Sequence, residues 1–252
     1  MDSFVYYLIS LLKSLSPEIL SIITFLICAI TILGLLRYFG ASGLYVYNAV
    51  AVVVANIQVL HTAKFIFSPE PVALGTVVFA TTYLVSDILT EHYGSDAARK
   101  ALWLSFVSQI LVIFLMILTL GHAPSSEGFH SAEINNLTDS HYSAMLTLFT
   151  PSSRLLFASL AAYVLSQLFD IWVFQKLRTL SHGRYIWFRQ NVSTFLSGIL
   201  DSFIFSYIAW VLLSPTPLPF YTLMVSYVIG TYFLRLIINF LGTPIMYASY
   251  RV

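Results

Sequence analysis

Apolar runs long enough to cross a bilayer alternate with short polar breaks along almost the whole chain. Residues 2–16 place Phe4, Tyr7, Leu8, Leu11, Leu12 and Leu15 at helical spacing among Ser10, Lys13 and Ser14, as in an amphipathic helix lying on a membrane surface. A cleaved signal peptide fits poorly, because a positive n-region is missing and the apolar run that follows is too long for an h-region. Ser16 and Pro17 read as the N-cap and first position of a span over 17–39. Gly40-Ala41-Ser42-Gly43 breaks the pattern before a second span, 43–61, which carries Asn56 and Gln58. The third span, 72–93, holds Ser86, Asp87, Thr90, Glu91 and His92 in its last turns. Gly94-Ser95-Asp96 then supplies a helix stop and a new N-cap, so the fourth span, 97–120, turns straight back beside the third.

Residues 121–152 form the one long polar connection, with His122, Glu127, His130, Glu133, Asp139 and His141. A fifth span, 154–175, leads into a basic turn with Lys176, Arg178, His182, Arg184 and Arg189. The sixth, 191–213, stops at Ser214-Pro215-Thr216-Pro217, and the seventh, 219–250, contains Arg235, Asn239 and Thr243-Pro244. The expected fold is all-α: a polytopic membrane helix bundle of about seven spans around a six-helix core, forming one transmembrane domain over 1–252.

Two stretches of this pattern repeat. LSQLFDIWVF at 165–174 returns as LSGILDSFIF at 196–205, with Leu, Ser, Asp and Phe at the same relative positions. Ser166, Asp170 and Phe174 are successive i+4 neighbours on a helix, as are Ser197, Asp201 and Phe205, so each helix carries a hydroxyl, a carboxylate and a ring in one stripe.

Composition agrees with a bilayer solvent. The chain is 58% hydrophobic and 9% charged, with a mean hydropathy of +0.84, too little polar surface to cover a soluble globule. A net charge of +1 without a Lys/Arg-rich run argues against a nucleic-acid partner. Cys28 is the single cysteine, so no intrachain disulfide is possible. Alternating the spans puts Arg37, Arg99, Lys100, Lys176, Arg178, Arg184, Arg189 and Arg251 on one side and Lys13, Lys64 and Arg154 on the other. By the positive-inside rule the first side and the C-terminus are cytoplasmic, and the N-terminus and the 121–152 loop are outside. The two repeat copies then run antiparallel, one way in which transporters build a central site.

An aspartate at a helix centre in a bilayer costs roughly 2.5–3.5 kcal/mol, so Asp87, Asp170 and Asp201 together approach about 8–10 kcal/mol. Such groups must face a bundle interior or wet cavity, with Arg235, far from both ends of its span, as the obvious partner. A plainer reading is that Asp87 and Glu91 sit close enough to the cytoplasmic surface to be solvated and that one aspartate only clamps Arg235. A cavity lined by carboxylates, amides and rings suits a flat, nitrogen-rich, nucleobase-like solute, with Tyr83, Phe174 and Phe205 as stacking surfaces or simply as packing.

Ser86-Asp87-Ile88-Leu89-Thr90-Glu91-His92-Tyr93-Gly94 followed by Ala98-Arg99-Lys100 resembles the signature of the queuosine-precursor transporter family, also called vitamin-uptake-transporter-like. Ser166-Gln167-Leu168-Phe169-Asp170 with Val173-Phe174 and Leu177-Arg178 is similar to it too. So are Asn191, Ser193, Ser197, Asp201-Ser202, Phe205 and Thr243-Pro244, and the resemblance spans roughly 45–250. It implies a bacterial inner-membrane importer of 7-deazaguanines, namely the 7-cyano or 7-aminomethyl precursor or queuine, with Asn56, Asp87, Glu91, Gln167, Asp170, Asn191 and Asp201 lining its site. The chain has Gly198 where many relatives have Gln, which bears on the 7-substituent accepted, and Arg235 where they have Lys, a permanent charge that shuttles no proton.

The candidate substrate residues are therefore Asn56, Tyr83, Asp87, Glu91, Gln167, Asp170, Phe174, Asn191, Ser197, Asp201, Phe205 and Arg235, with rocking of helices exposing them alternately to each side. One of the acids is a candidate carrier of a coupling proton. No catalytic group, metal or cofactor is expected, and a homo-oligomer is left open. G-x-x-x-x-G-K-[S/T] is missing, so the chain does not itself hydrolyse ATP, although it could be the substrate-binding component of an energy-coupling complex. His122, His130 and His141 match no metal-ligand spacing. An intramembrane aspartyl protease would need a Gly-x-Gly-Asp context that this chain lacks. A carrier for another small polar solute ranks above it, and a purely structural protein, which would bury so many acids to no gain, ranks last.

Overall fold

The structure, a computed structural model, describes residues 2–66, 71–122, 132–149, 153–214 and 230–252. Helix α1, Asp2–Lys13, leaves Phe4, Tyr7, Leu8 and Leu11 exposed, as a bilayer-facing surface helix would. Ser16 caps α2, Pro17–Gln58, its side chain accepting from the Ile19 amide at 3.4 Å with Pro17 in the first turn.

The 42-residue α2 is two arms. Gly40 lies at φ 57°, ψ −139°, a backbone conformation that in practice only glycine adopts. Beyond it the chain doubles back. A Cβ added to Gly43 would stand 2.7 Å from the Leu35 carbonyl oxygen, whereas eight residues of straight helix would hold the two about 12 Å apart. Tyr47 likewise reaches Cys28 across the fold. The break expected between the first two spans is thus a hinge at Gly40 with the arms packed side by side.

The third span begins later than expected. Val72–Ala73 (β2) pairs antiparallel with Thr62–Ala63 (β1), with Thr62 opposite Ala73, and strands of two residues are too short to leave an alternating pattern in the sequence. Between them Phe65 turns inward against Phe25, Val77, Leu234 and Ile238. Helix α3, Gly75–Tyr93, then starts hard against α2: a Cβ on Gly75 would lie 2.3 Å from the Ala55 carbonyl oxygen, so only glycine permits this crossing. Every residue from Thr81 to Thr90 is buried, which makes α3 the axis of the bundle.

Gly94, at φ 86°, ends α3 and is itself the cap of α4, Ser95–Leu120; neither Ser95 nor Asp96 supplies the expected side-chain cap. Trp103, Val107, Leu111, Phe114 and Leu118 form an outward apolar stripe on α4, with Ala98, Ala101, Ser105 and Gln109 facing in. The expected polar connection at 121–152 is largely a helix, α5, Ala132–Phe149, whose Tyr142 hydroxyl donates to the Leu120 carbonyl at 2.9 Å. Glu127 and His130 fall outside the described residues.

Helix α6, Ser153–Leu180, and α7, Ile186–Tyr207, pack along their length, and α7 runs into a π-helical turn, Ile208–Leu212. Because α7 starts five residues before the expected 191, Arg189 lies in its first turn and not in a solvated basic loop. Helix α8, Gly230–Ala248, carries Pro244, and the expected start of the seventh span at 219 lies outside the described residues. Pro17–Gln58, Ser95–Leu120, Leu156–Leu180 and Ile186–Leu212 are each long and apolar enough to cross a membrane. With its polar side chains inward and its large apolar ones outward, the chain is a multi-pass, all-α membrane bundle.

Candidate functional site

Three i+4 stripes converge on the interior: Phe79, Tyr83, Asp87 and Glu91 on α3; Ser166, Asp170, Phe174 and Arg178 on α6; Arg189, Ser193, Ser197, Asp201 and Phe205 on α7. Their side chains sort into three levels along the bundle.

The first level is a cavity of about 190 Å³ lined by Asn56, Thr76, Phe79, Ser159, Asp201, Ser202, Phe205, Ser206 and Arg235. Arg235 Nη1 lies 2.5 Å from Asp201 Oδ2, and its guanidinium sits 5.5 Å from the centre of the Phe79 ring. Across the cavity Asn56 is held by the Val52 carbonyl at 2.9 Å and by Gln109 Oε1 at 3.2 Å, and its own Oδ1 accepts from Ser159 at 3.2 Å. Phe205 also borders a neighbouring, more apolar cavity of about 260 Å³ with Gln109 and Trp210. Four expected residues, Asn56, Asp201, Phe205 and Arg235, thus meet around one hollow. A smaller void, about 20 Å³, lies beside it between Tyr83, Thr194, Gly198 and Asn239, which is room for about one water molecule.

The second level is closed. Ser166 of α6 donates to Asp201 of α7 at 3.2 Å, and Ser197 of α7 donates to Asp170 of α6 at 2.8 Å. The repeat is therefore reciprocal and antiparallel: each copy's hydroxyl serves the other copy's carboxylate. Tyr83 hydrogen-bonds Ser166 at 2.8 Å, Gln167 donates to Thr82 at 2.9 Å, and Thr194 donates to Asp87 at 3.4 Å. Asp87 and Asp170 are fully buried within hydrogen-bonding reach of each other, so solvation of Asp87 at a surface does not describe it. Asn191 donates to the Trp187 carbonyl at 2.7 Å and to Thr243 at 2.9 Å, joining α7 to α8 away from the main cavity.

The third level is a clasp around Glu91, which is also withdrawn from solvent. Arg189 Nη2 lies 2.6 Å and Arg178 Nε 3.4 Å from Glu91 Oε2, and the Tyr250 hydroxyl donates to Oε1. Arg189 is fully buried, donates to the Arg184 carbonyl at 3.1 Å and rests 5.4 Å from the centre of Phe174, so that ring packs under a cation and does not border the cavity. Arg178 donates to the Thr90 carbonyl at 3.1 Å, and His92 bonds Ser249 at 2.8 Å. The clasp fastens α3, α6, α7 and the segment after α8 at one end, while the 190 Å³ cavity lies toward the other.

The sequence reading placed Arg178 and Arg189 in a basic cytoplasmic turn and not in the site, and gave no role to Tyr250 or to Phe79, Ser159 and Gln109 around the cavity. A signal existed for the arginines: extending the Ser-Asp stripe by i+4 steps reaches Arg178 on α6 and Arg189 on α7. Among the described residues no cluster of His, Cys, Asp and Glu is arranged to hold a metal ion.

Residues 73–249 match the family model described as "Putative vitamin uptake transporter". The chain is 30% identical over 224 residues, 88% of its length and 90% of the relative's, to a Bacillus subtilis protein named "Probable queuosine precursor transporter". It is 28% identical over 136 residues to a Haemophilus influenzae protein of the same name, covering 54% of this chain and 51% of that one. To the "Queuosine precursor transporter" of Escherichia coli it is 26% identical over 136 residues, 54% of each chain. No solved structure matches it. A buried acid-arginine system in a multi-pass bundle and these matches lead to one conclusion: the chain belongs to the vitamin uptake transporter family, together with relatives named as queuosine precursor transporters.

Proposed function

We propose that this protein imports a 7-deazaguanine precursor of queuosine across the bacterial cytoplasmic membrane, binding the base in the cavity between Asn56, Phe79, Phe205 and the Asp201–Arg235 pair. The observation that carries this reading is that ion pair at the cavity wall, with carboxylate and guanidinium 2.5 Å apart. A guanine-like edge presents an N–H, an amino group and a carbonyl side by side. A carboxylate accepts from the first two and a guanidinium donates to the third, so the base can enter the pair by exchanging one set of charge-assisted hydrogen bonds for another. Phe79 and Phe205 offer apolar faces to the bicycle, and Asn56, whose amide N–H groups are held by Val52 and Gln109, supplies the remaining lone pair of its Oδ1 as a neutral acceptor beside it.

The closed clasp at Glu91 and the cavity toward the opposite end correspond to one state of an alternating-access cycle. In the sidedness expected from the basic residues, the cavity faces outward and the clasp closes the cytoplasmic end. Transport requires the clasp to release while the cavity closes over the base. The test is uptake of labelled 7-cyano-7-deazaguanine into cells unable to make it, read as queuosine in their tRNA. Expression of the protein restores queuosine and the Asp201→Asn variant, inserted at the same level, does not; equal queuosine with both would refute the site.

A further inference from the structure

We propose that Asp87 and Asp170 together form a proton site, one proton shared between two carboxylates, and that filling and emptying it couples solute movement to the proton gradient; this rests on the transport reading above. The two residues come from different helices, α3 and α6, and both are fully buried. They lie within hydrogen-bonding reach of each other, and one oxygen on each, Asp87 Oδ1 and Asp170 Oδ2, has no donor. The remaining oxygens are served by hydroxyls of α7, Thr194 at 3.4 Å on Asp87 and Ser197 at 2.8 Å on Asp170, with Ser193 beside Asp170.

The charges around the pair do not neutralise it. Glu91, one turn along α3, adds a negative charge on one side. Arg189 of α7 is near enough to act on Asp87 electrostatically, but its guanidinium is bound to Glu91 at 2.6 Å, and α8 offers Arg235, bound to Asp201 at 2.5 Å. Among the described residues neither Asp87 nor Asp170 has an ion pair. Two dry carboxylates facing each other, neither ion-paired, repel while both are charged, and a single proton turns two lone acceptors into one donor and one acceptor.

The position of the pair gives the proton a task. On one side, Ser166 and Ser197 tie Asp170 and Asp201 into one α6–α7 unit, so the solute site shares its supports with the proton site. On the other, opening the clasp frees the Arg189 guanidinium near Asp87, where its charge favours the ionised carboxylate. The proton is therefore taken from water while the cavity is open and surrendered to water when the clasp is open; only the O–H bond is made and broken.

The test uses the full chain in liposomes. Wild-type protein accumulates labelled 7-cyano-7-deazaguanine when the cavity side is acidic, and a protonophore abolishes accumulation. Asp87→Asn and Asp170→Asn, inserted into the liposomes at the wild-type level, lose this pH-driven accumulation. Accumulation in either variant matching wild type, or accumulation that follows a sodium gradient and ignores pH, overturns the proposal. Infrared spectroscopy of the protein without solute provides a readout independent of substrate identity: a protonated-carboxyl band that shifts in D2O and vanishes in both variants supports the site, and lack of that band in wild type overturns it. Failure of wild-type exchange with the band intact indicts the choice of solute and leaves the proton site standing.

Discussion

Ser197 donates its hydroxyl to Asp170 at 2.8 Å from the neighbouring helix, and Ser166 returns the arrangement to Asp201 at 3.2 Å. Removing either hydroxyl takes a donor from a buried carboxylate, which costs about 1–3 kcal/mol. Ser166→Ala and Ser197→Ala are each expected to lower the apparent melting temperature in detergent, and the double variant to fall short of or exceed their sum because the four groups touch. Melting of both single variants at the wild-type temperature would show that the cross-bonding carries no weight.

Asp201 and Arg235 behave as one unit toward the solute. Breaking a hydrogen-bonded charge pair in a binding site by removing one partner costs about 2–5 kcal/mol, so Asp201→Asn is expected to weaken solute binding by at least ~30-fold. Arg235→Lys keeps the charge without the planar fork and should retain measurable transport, whereas Arg235→Gln should not. Direct binding to purified protein checks the first expectation and initial rates of uptake the second.

Neutralising Glu91 should loosen the clasp. Glu91→Gln leaves Arg189, fully buried, without its carboxylate, a penalty of about 3–5 kcal/mol for a buried pair. In a Cys28→Ser background, a cysteine placed at Ser193 is expected to react with a small thiol reagent faster when Glu91 is Gln than when it is Glu. Equal labelling rates would mean that the clasp does not hold that end closed.

The Gly40 hinge tolerates little else. At φ 57°, ψ −139° an alanine is strained by about 1–3 kcal/mol, and its Cβ would meet the Tyr93 hydroxyl at 3.1 Å. Gly40→Ala should cut the yield of folded protein and lower its melting temperature, while Gly34→Ala, in a straight part of α2 with open space around it, should do neither. Parallel expression and melting of the two variants check this.

Much of the bundle was legible because membrane helices declare themselves by apolar length and glycine breaks: Ser16-Pro17, Gly40 and Gly94 mark real boundaries. Asn56, Asp201, Phe205 and Arg235 were likewise legible as polar or aromatic positions in greasy segments, and the structure gathers them. Arg189 was not, since a charge near a helix start reads as surface until the true start at Ile186 is known. Helix α5 was hidden by its polar composition and the two short strands by their length. Phe174 and Glu91 show the limit of stripe arguments. Periodicity says which residues share a face, while the partner opposite, here the Arg189 side chain between them, decides what each does.

Because each acid of α6 and α7 borrows its hydroxyl from the opposite helix, sliding one past the other by a single turn would take that hydroxyl from both acids at once. These two helices are therefore bound to travel as a single blade, and whatever swings during a transport cycle must swing against it. Movement of α3 or α8 against the blade must therefore break the Glu91 clasp and the Asp201–Arg235 pair together with the Tyr83–Ser166, Thr82–Gln167 and Asn191–Thr243 hydrogen bonds.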